Sequence, residues 1–285
     1  MSILVAYDGS DQSEYALQTA VDSFPDQPLL LVYVVKPVGN YTDAAGYTRA
    51  QYRQEFDRAE SMLETASESI PADRPVEHVV RHGRPAHEIL RVAADRGVDH
   101  VVVGSRGRDG AKRLLLGSVA EAVARRASVP VTVVRHPPAG GSPERVLVPF
   151  DGSDPATAAL EYALGQYPDA EITVVYAVYP PPEVTGADDD PVSGSLENWV
   201  DRLDEHTTDL LEQAESRAAR PIDVETVSGD PAPAIVDYAE TAAVDHIVIG
   251  SHGRDGLSRL IMGSVAETVV RRAPTSVTVV RESDD

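Results

Sequence analysis

Short runs of apolar residues alternate along the chain with stretches in which apolar residues recur every three or four positions. The short apolar runs are typical of parallel strands that are buried on both faces. The stretches with helical spacing are typical of the helices that connect such strands. In the first half, the predicted strands are Ile3–Tyr7, Leu29–Val35, Val76–Arg81, His100–Val103 and Val131–Val134, and the predicted helices are Ser13–Val21, Thr48–Glu68, Ala86–Arg96 and Ser118–Arg126. This order is typical of a doubly wound α/β fold.

The second half of the chain repeats the first. Residues 3–20 and 146–163 are identical at nine of 18 positions, and residues 104–135 and 250–281 at 22 of 32 without a gap. The strands predicted there are Val146–Phe150, Ile172–Val178, Asp223–Val227, His246–Ile249 and Val277–Val280. We therefore predict two tandem Rossmann-like domains, residues 1–139 and 143–285, each with a five-stranded parallel sheet and helices on both faces. The Pro- and Gly-rich segment 135–144 is predicted to be the linker.

Each half ends in an apolar fifth strand, which lies at an edge of such a sheet and leaves backbone groups unpaired. We expect the two halves to cover these edges by packing on one another as an intramolecular pseudo-dimer. The alternative is two independent domains on a linker, and a homodimer of the whole chain is also left open.

Acidic residues dominate the charge of the chain. The sequence has 46 Asp and Glu against 25 Lys and Arg, for a formal net charge of −21, and its only lysines are Lys36 and Lys112. Such a negative surface repels the phosphates of nucleic acids and of anionic lipids, so we expect neither as a partner. The scarcity of lysine favours a halophilic, salt-adapted protein over an ordinary acidic one.

Several classes of site and location are excluded or disfavoured by what the sequence lacks. There is no cysteine, which excludes disulfides, thiolate catalysis and Cys-based metal sites. The longest fully apolar run, Leu29–Val35, is far shorter than the roughly 20 residues of a membrane span. No secretory signal is visible after Met1, so we expect a cytoplasmic protein. The eight histidines show no metal-ligand spacing, and we predict no metal-binding and no catalytic residue.

The candidate chemistry lies where the first and fourth strands of each half end, because ligands bind at the carboxyl edge of open parallel sheets. The first strands end in Asp8-Gly9-Ser10 and Asp151-Gly152-Ser153. The fourth strands run into loops with the pattern G-x-x-G, nine residues, G-S, which comprises Gly104, Gly107, Gly117 and Ser118, and Gly250, Gly253, Gly263 and Ser264. We expect these glycines to adopt positive φ and to let the backbone approach phosphate, and Gly-Ser to open an anion-binding helix. The alternative is that they only form turns.

The segments that contain these loops are basic, with twelve Arg and Lys against four Asp and Glu in residues 104–135 and 250–281. This charge favours phosphate, although we expect the pairs Arg125-Arg126 and Arg271-Arg272 on outer helix faces beside carboxylates. Asp8 suits the sugar and base of a nucleotide, because a carboxylate accepts hydroxyl or amino hydrogens and repels phosphates. Its alternative role is as an N-cap or Asx turn in the Asp-Gly-Ser segment.

At these residues the chain resembles the universal stress protein family in its tandem form, and specifically the family's ATP-binding branch, which has all of these glycines. The resemblance implies that Asp8 and Asp151 contact the adenosine and that the backbone at Val34 and Ala177 flanks the adenine. It also implies a set of residues around ribose and phosphates: Gly104, Gly107, Gly117, Ser118 and Val119 in the first half, and Gly250, Gly253, Gly263, Ser264 and Val265 in the second. The family's usual His-Gly is kept at His252 and replaced at Arg106, so these two residues are candidate phosphate contacts that differ between the halves. Lys112 and Ser258 differ in the same way.

The function predicted from the sequence is an ATP-binding universal stress protein that senses or sequesters ATP, ADP or AMP. No Walker lysine motif, kinase catalytic loop or nucleophile elbow is present, so binding is favoured over turnover. Two alternatives stay open: a slow Mg²⁺-dependent ATPase or phosphotransferase, and a partner-binding module with vestigial nucleotide sites.

Overall fold

The computed structural model describes residues 1–36, 49–107, 116–137, 140–178, 207–253 and 262–281. In the first half the elements are β1 Ile3–Ala6, α1 Asp11–Ser23, β2 Leu29–Val35, α2 Arg49–Ser67, β3 Val76–His82, α3 Pro85–Arg96, β4 His100–Gly104, α4 Ser118–Arg126 and β5 Val131–Val134. All predicted strands are present with ends shifted by at most one residue. Residues 138–139 of the predicted linker lie outside the described residues.

The second half has the same order of elements: β6 Arg145–Pro149, α5 Asp154–Gln166, β7 Glu171–Val178, α6 over residues 207–217, β8 Asp223–Ser228, α7 Pro231–Thr241, β9 His246–Gly250, α8 Ser264–Arg272 and β10 Ser276–Val280. Local signals set several helix starts. Ser10 and Ser153 cap α1 and α5 with their side chains, and proline begins α3 and α7. None of the described helices combines the length and the apolar composition that a membrane span needs.

The strands form one sheet of ten, in the order β3-β2-β1-β4-β5-β10-β9-β6-β7-β8. All pairs within each half are parallel, and the central pair β5–β10 is antiparallel. The strand order reverses between β1 and β4, and again between β6 and β9. Each half is therefore a doubly wound α/β unit with its own crevice at the carboxyl ends of its strands.

Helices cover both faces of the sheet, but the two faces are organised differently. On one face, a single apolar cluster runs through both halves and includes Ile89, Val123, Ile235 and Val269 of α3, α4, α7 and α8. On the other face, α1 and α2 cover a separate cluster in the first half, and α5 and α6 cover another in the second. The continuous cluster makes the two halves share one hydrophobic core on the face that carries α4 and α8.

A buried polar chain crosses the seam between β5 and β10, where Thr132 lies directly opposite Thr278. The two threonine Oγ1 atoms are 2.7 Å apart, and each is 2.8 Å from a histidine Nε2, of His100 and His246 respectively. Burial lowers the pKa of both histidines to about 3, so both are neutral at pH 7. The two fifth-strand edges thus pair with each other, and the threonine and histidine side chains at the seam form hydrogen bonds.

Candidate nucleotide-binding cavities

A cavity of about 210 Å³ opens at the carboxyl ends of β1 and β4. All eight residues predicted for the first half line it: Asp8, Val34, Gly104, Arg106, Gly107, Gly117, Ser118 and Val119. They come from the ends of β1, β2 and β4 and from the start of α4, so residues up to 111 positions apart in sequence meet at the crevice where the strand order reverses.

A second cavity, of about 490 Å³, occupies the equivalent place between β6 and β9. Its lining again includes every predicted residue of its half: Asp151, Ala177, Gly250, His252, Gly253, Gly263, Ser264 and Val265. Each half therefore presents the same frame of residues around a cavity of its own.

The Asp-Gly-Ser segments form Asx turns that lead into α1 and α5. Asp8 Oδ1 accepts hydrogen bonds from the Ser10 backbone N–H (3.1 Å) and hydroxyl (2.5 Å), and Asp151 Oδ1 accepts the same pair from Ser153 at 3.0 and 2.6 Å. The serine, and not the aspartate, is the helix N-cap. The turn uses Oδ1, and the second carboxylate oxygen, Oδ2, faces the glycine-rich loop.

Close packing explains two glycines of each loop better than backbone conformation does. A Cβ on Gly104 would lie 2.5 Å from the Gln12 backbone oxygen, and one on Gly250 2.6 Å from the Pro155 carbonyl carbon. These glycines let β4 and β9 pack against the first turns of α1 and α5. A Cβ on Gly107 or Gly253 would instead lie 2.6 Å from Oδ2 of the aspartate across the cavity.

The expectation that these loop glycines adopt positive φ is wrong. Gly117 and Gly263 have φ of −72° and −66°, and positive φ occurs at Gly9 (71°) and Gly152 (80°) of the Asx turns. The glycine-rich loops need glycine because other atoms are close. The turns need it because their backbone is left-handed.

The first turns of α4 and α8 supply free backbone donors. The Gly117 N–H donates to Ser105 O (2.7 Å), and Glu121 N–H makes the first bond back to Gly117 O. The N–H groups of residues 118–120 therefore precede the helical hydrogen-bond ladder, and these residues line the cavity. Gly263 and Ser251 repeat the arrangement at 2.8 Å in the second half. Each cavity is thus open to a helix N-terminus that favours anions.

An apolar wall stands opposite these donors, and most of it was not among the predicted residues. In the first cavity Val32, Pro85 and Ile89 join Val34, and in the second Val175, Pro231 and Ile235 join Ala177. A sequence signal exists for Pro85 and Pro231, because Gly-x-Pro-Ala recurs at residues 83–86 and 229–232. The lining of each cavity therefore combines apolar side chains with polar groups.

The two cavities differ in polarity. Tyr7, Ser13 and Lys36 line the first cavity, whereas the second has Phe150 and Ala156 at the places of the first two. The positively charged Arg106 is replaced by His252, whose Nδ1 lies 3.0 Å from the Ser251 hydroxyl. Lys112 and Ser258 lie outside the described residues. Among the lining residues described, the first cavity has more hydrogen-bonding groups and more positive charge.

Several arginines counted in favour of phosphate lie elsewhere. Arg125 and Arg271 form ion pairs with Glu121 and Glu267, both within their own helix and across the contact of α4 with α8. The pairing with carboxylates is as predicted, but the two arginines lie at the contact between α4 and α8. Arg126 and Arg272 are exposed, and Arg135 and Arg281 donate to backbone carbonyls of the opposite half. The net charge of these segments is therefore not a measure of the charge in the cavities.

No cluster of three or more His, Asp or Glu side chains within the described ranges is arranged to hold a metal ion. His100 and His246 are used in the seam.

Comparison with known proteins gives a consistent result. A model described as the universal stress protein family matches residues 1–135 and again residues 143–281. A universal stress protein of Mycolicibacterium smegmatis is 28% identical over 98% of this chain and 96% of its own length. One from Methanocaldococcus jannaschii is 35% identical over 49% of this chain and 82% of its own. Among solved structures, a universal stress protein from Archaeoglobus fulgidus aligns with a TM-score of 0.68 and 25% identity over 100% of this chain and 97% of that one.

Proposed function

Because the chain belongs to the universal stress protein family, with two family domains in tandem, we propose that it binds an adenine nucleotide in each of its two cavities. The nucleotide is ATP, ADP or AMP, and the protein senses or sequesters it in a stress response. The observation that carries this proposal is the duplication of the cavity. Sixteen predicted residues line two separate cavities, eight in each, at equivalent places in the fold.

The distribution of polarity supports a nucleotide rather than another anion. The apolar wall of Val32, Val34 and Ile89 suits a base, and the free N–H groups at the start of α4 suit phosphate. Asp8 Oδ2 lies beside Gly107 in the same cavity, and a carboxylate there is suited to accept hydrogen bonds from ribose hydroxyls. A simple phosphate would use the helix N-terminus and leave the apolar wall without a partner.

The direct test is binding of nucleotide by the purified chain. Native mass spectrometry of gently purified protein should show retained adenine nucleotide, and calorimetry with ATP, ADP and AMP should give two sites per chain. The matched control is Asp8→Asn with Asp151→Asn, because asparagine keeps the Oδ1 acceptor of the Asx turn and removes the charge at Oδ2. A folded double variant that binds as tightly as the unaltered chain would count against the proposal.

Hydrolysis is a separate question that the same cavities raise. Asp8 is the one acidic residue among the described residues that line the first cavity, and its Oδ1 is held by Ser10. In the proposed binding mode the other oxygen, Oδ2, lies at the ribose and not at the phosphates, which leaves no carboxylate of the described lining beside the phosphates to activate water and favours sequestration over turnover. Single-turnover reactions with labelled ATP and Mg²⁺ test this directly, since rapid release of labelled phosphate would establish the ATPase instead.

We further propose that the two cavities bind with unequal affinity. Arginine carries a permanent charge and can hold phosphate bidentately, whereas the imidazole of a histidine has no planar fork of donors for a bidentate contact. With Arg106 and Lys36 in its lining, the first cavity should bind about fivefold more tightly, on the order of 1 kcal/mol. Arg106→His should reduce this difference by weakening the first cavity, and His252→Arg should reduce it by strengthening the second. Identical sites that neither substitution alters would refute the inequality.

A further inference from the structure

Two arginines cross the seam and hold the helices of the opposite half. Arg135 follows β5, and its Nη2 donates to Val270 O (2.9 Å) and Arg271 O (2.8 Å) near the end of α8. Arg281 follows β10, and its Nη2 donates to Ala124 O (3.2 Å) and to Arg125 O near the end of α4. The exchange is reciprocal: each half supplies the cation that satisfies the last carbonyls of the other half's cavity helix.

Other helices of the chain receive the same kind of cap from their own half. Arg74 donates to Ala20 O, Val21 O and Phe24 O at the end of α1. Arg220 donates to Tyr167 O just after α5 and to Ala170 O beyond it. Among the described helices, the arginine caps that come from the opposite half are those of α4 and α8, the two helices that begin at a cavity.

The residue before each crossing arginine is hydrogen-bonded to the cavity loop of its own half. Val134, the residue before Arg135, accepts at its carbonyl oxygen from Ser105 N–H at 2.7 Å, and Ser105 O in turn accepts from Gly117 N–H. In the second half Val280 O accepts from Ser251 N–H at 2.8 Å. The chain of contacts therefore runs from the loop of one cavity, through one arginine, along one nine-residue helix, to the donors of the other cavity.

Electrostatics indicates the sign of the coupling, that is, whether an anion in the first cavity strengthens or weakens the hold of Arg135 on α8. Burial and the nearby Arg106 guanidinium both lower the pKa of Arg135 below its ordinary value. Arg135 stays charged throughout, so an anion bound beside Arg106 would offset the repulsion between the two guanidinium groups and strengthen the hold of Arg135 on α8. The ion pairs of Arg125 and Arg271 with Glu121 and Glu267 join α4 to α8 at the same contact.

We propose that Arg135 and Arg281 are positioning residues that couple the two cavities, so that nucleotide in one raises the affinity of the other. The proposal rests on nucleotide binding as proposed above and adds its regulation. Coupling of this kind is reciprocal, so filling the second cavity must favour the first by the same factor. We expect a factor of about five, the lower end of the usual range of allosteric coupling.

The test compares the affinity of the second cavity when the first is competent and when it is disabled by Asp8→Asn. In the otherwise unaltered chain, Asp8→Asn should weaken the second cavity about fivefold. With Arg135→Met and Arg281→Met in both chains this difference should disappear, and Arg135→Lys with Arg281→Lys, which keeps both charges, should restore part of it. Arg74→Met is the matched control, because it also removes a buried arginine that caps a helix, here from the same half, and it should leave the coupling unchanged.

A merely structural role for Arg135 makes a different prediction. If the role is only structural, the methionine substitutions lower the melting temperature and weaken binding, but Asp8→Asn still weakens the second cavity to the same extent. That result would overturn the proposed coupling. Two cavities that bind independently in the unaltered chain would overturn it as well and leave the proposed function standing. Failure of the unaltered chain to bind any adenine nucleotide would overturn both.

A second measurement needs no substitution of an arginine and so does not depend on that variant folding. In a chain with Asp151→Asn, nucleotide fills the first cavity only, and hydrogen exchange is followed by mass spectrometry. Protection should increase in α8 of the second half as well as in α4. Protection confined to α4 and its own loop would contradict transmission through Arg135.

Discussion

Gly107→Ala should weaken nucleotide binding and leave the stability of the fold nearly unchanged. Gly104→Ala should mainly lower the stability of the fold. The two glycines belong to one motif, but their missing Cβ atoms face different neighbours. At Gly107 the neighbour is Asp8 Oδ2 at 2.6 Å, the end of a side chain, whereas at Gly104 the nearest three atoms, 2.5 to 2.9 Å away, all belong to Gln12 and include its backbone O and C. A side chain end moves at little cost, but the backbone of a helix packed on the sheet does not.

The expected magnitudes follow from these contacts. Ordinary contact begins at 3.4 Å, so a Cβ at Gly107 displaces the Asp8 carboxylate by about 0.8 Å and spoils any hydrogen bond from it to a ribose hydroxyl. Hydrogen bonds to charged groups contribute about 1.5–3 kcal/mol, so the first cavity should lose affinity by about 10- to 100-fold. Overpacking at Gly104 should cost about 1–3 kcal/mol of unfolding free energy, or roughly 2–10 °C in melting temperature.

The assay is calorimetry of adenine nucleotide binding, with thermal unfolding of each variant measured in parallel. Gly253→Ala and Gly250→Ala repeat the comparison in the second cavity, where the corresponding Cβ distances are 2.6 Å to Asp151 Oδ2 and 2.6 Å to the Pro155 backbone. Undiminished affinity in a folded Gly107→Ala chain would refute the role given to Asp8. A Gly104→Ala chain as stable as the parent would refute the packing argument.

Three further predictions concern the stability of the whole chain. The pKa of His100 and His246 is about 3 in the folded chain and about 6.5 in the unfolded chain. Below pH 6.5 the unfolded state therefore binds more protons, and the free energy of unfolding should decrease by about 1.4 kcal/mol per histidine for each unit by which the pH is lowered, down to about pH 3. Chemical denaturation measures the free energy of unfolding at pH 7 and at pH 5. Its decrease should be smaller in His246→Asn than in the unaltered chain, and the same as in the unaltered chain in His87→Asn, where the substituted histidine is exposed. Equal decreases in all three chains would contradict the low pKa given to His246. The acidic side chains behind the net charge of −21 repel one another, and salt shortens the range of this repulsion from about 8 Å at 0.15 M ionic strength to about 3 Å at 1 M. The melting temperature should therefore rise steeply in molar KCl, and a melting temperature that does not change with KCl would refute salt adaptation. Residues 1–139 and 143–285 expressed separately should each associate through the exposed β5 or β10 edge in light scattering, whereas soluble monomers of undiminished stability would indicate independent domains.

The sequence by itself determined most of the architecture and the composition of the cavities. Strand and helix positions follow from hydrophobic periodicity, which depends on near neighbours, and for that reason all ten strands were placed within one residue of their ends. The cavity frame could be predicted because the chain contains it twice. Residues such as Gly107 and Gly253 recur at the same spacing after equivalent strands, and the carboxyl ends of those strands must meet at one edge of the sheet.

Only the tertiary structure decided which surfaces meet and therefore why particular residues are needed. Gly104 and Gly107 look alike in the sequence, but one faces the backbone of a helix and the other a carboxylate. Arg135 reads as one more cation of a basic segment, and its acceptors lie 135 and 136 residues away on the opposite half. These roles come from the antiparallel pairing of β5 with β10, because contacts across that seam join residues that no local pattern relates.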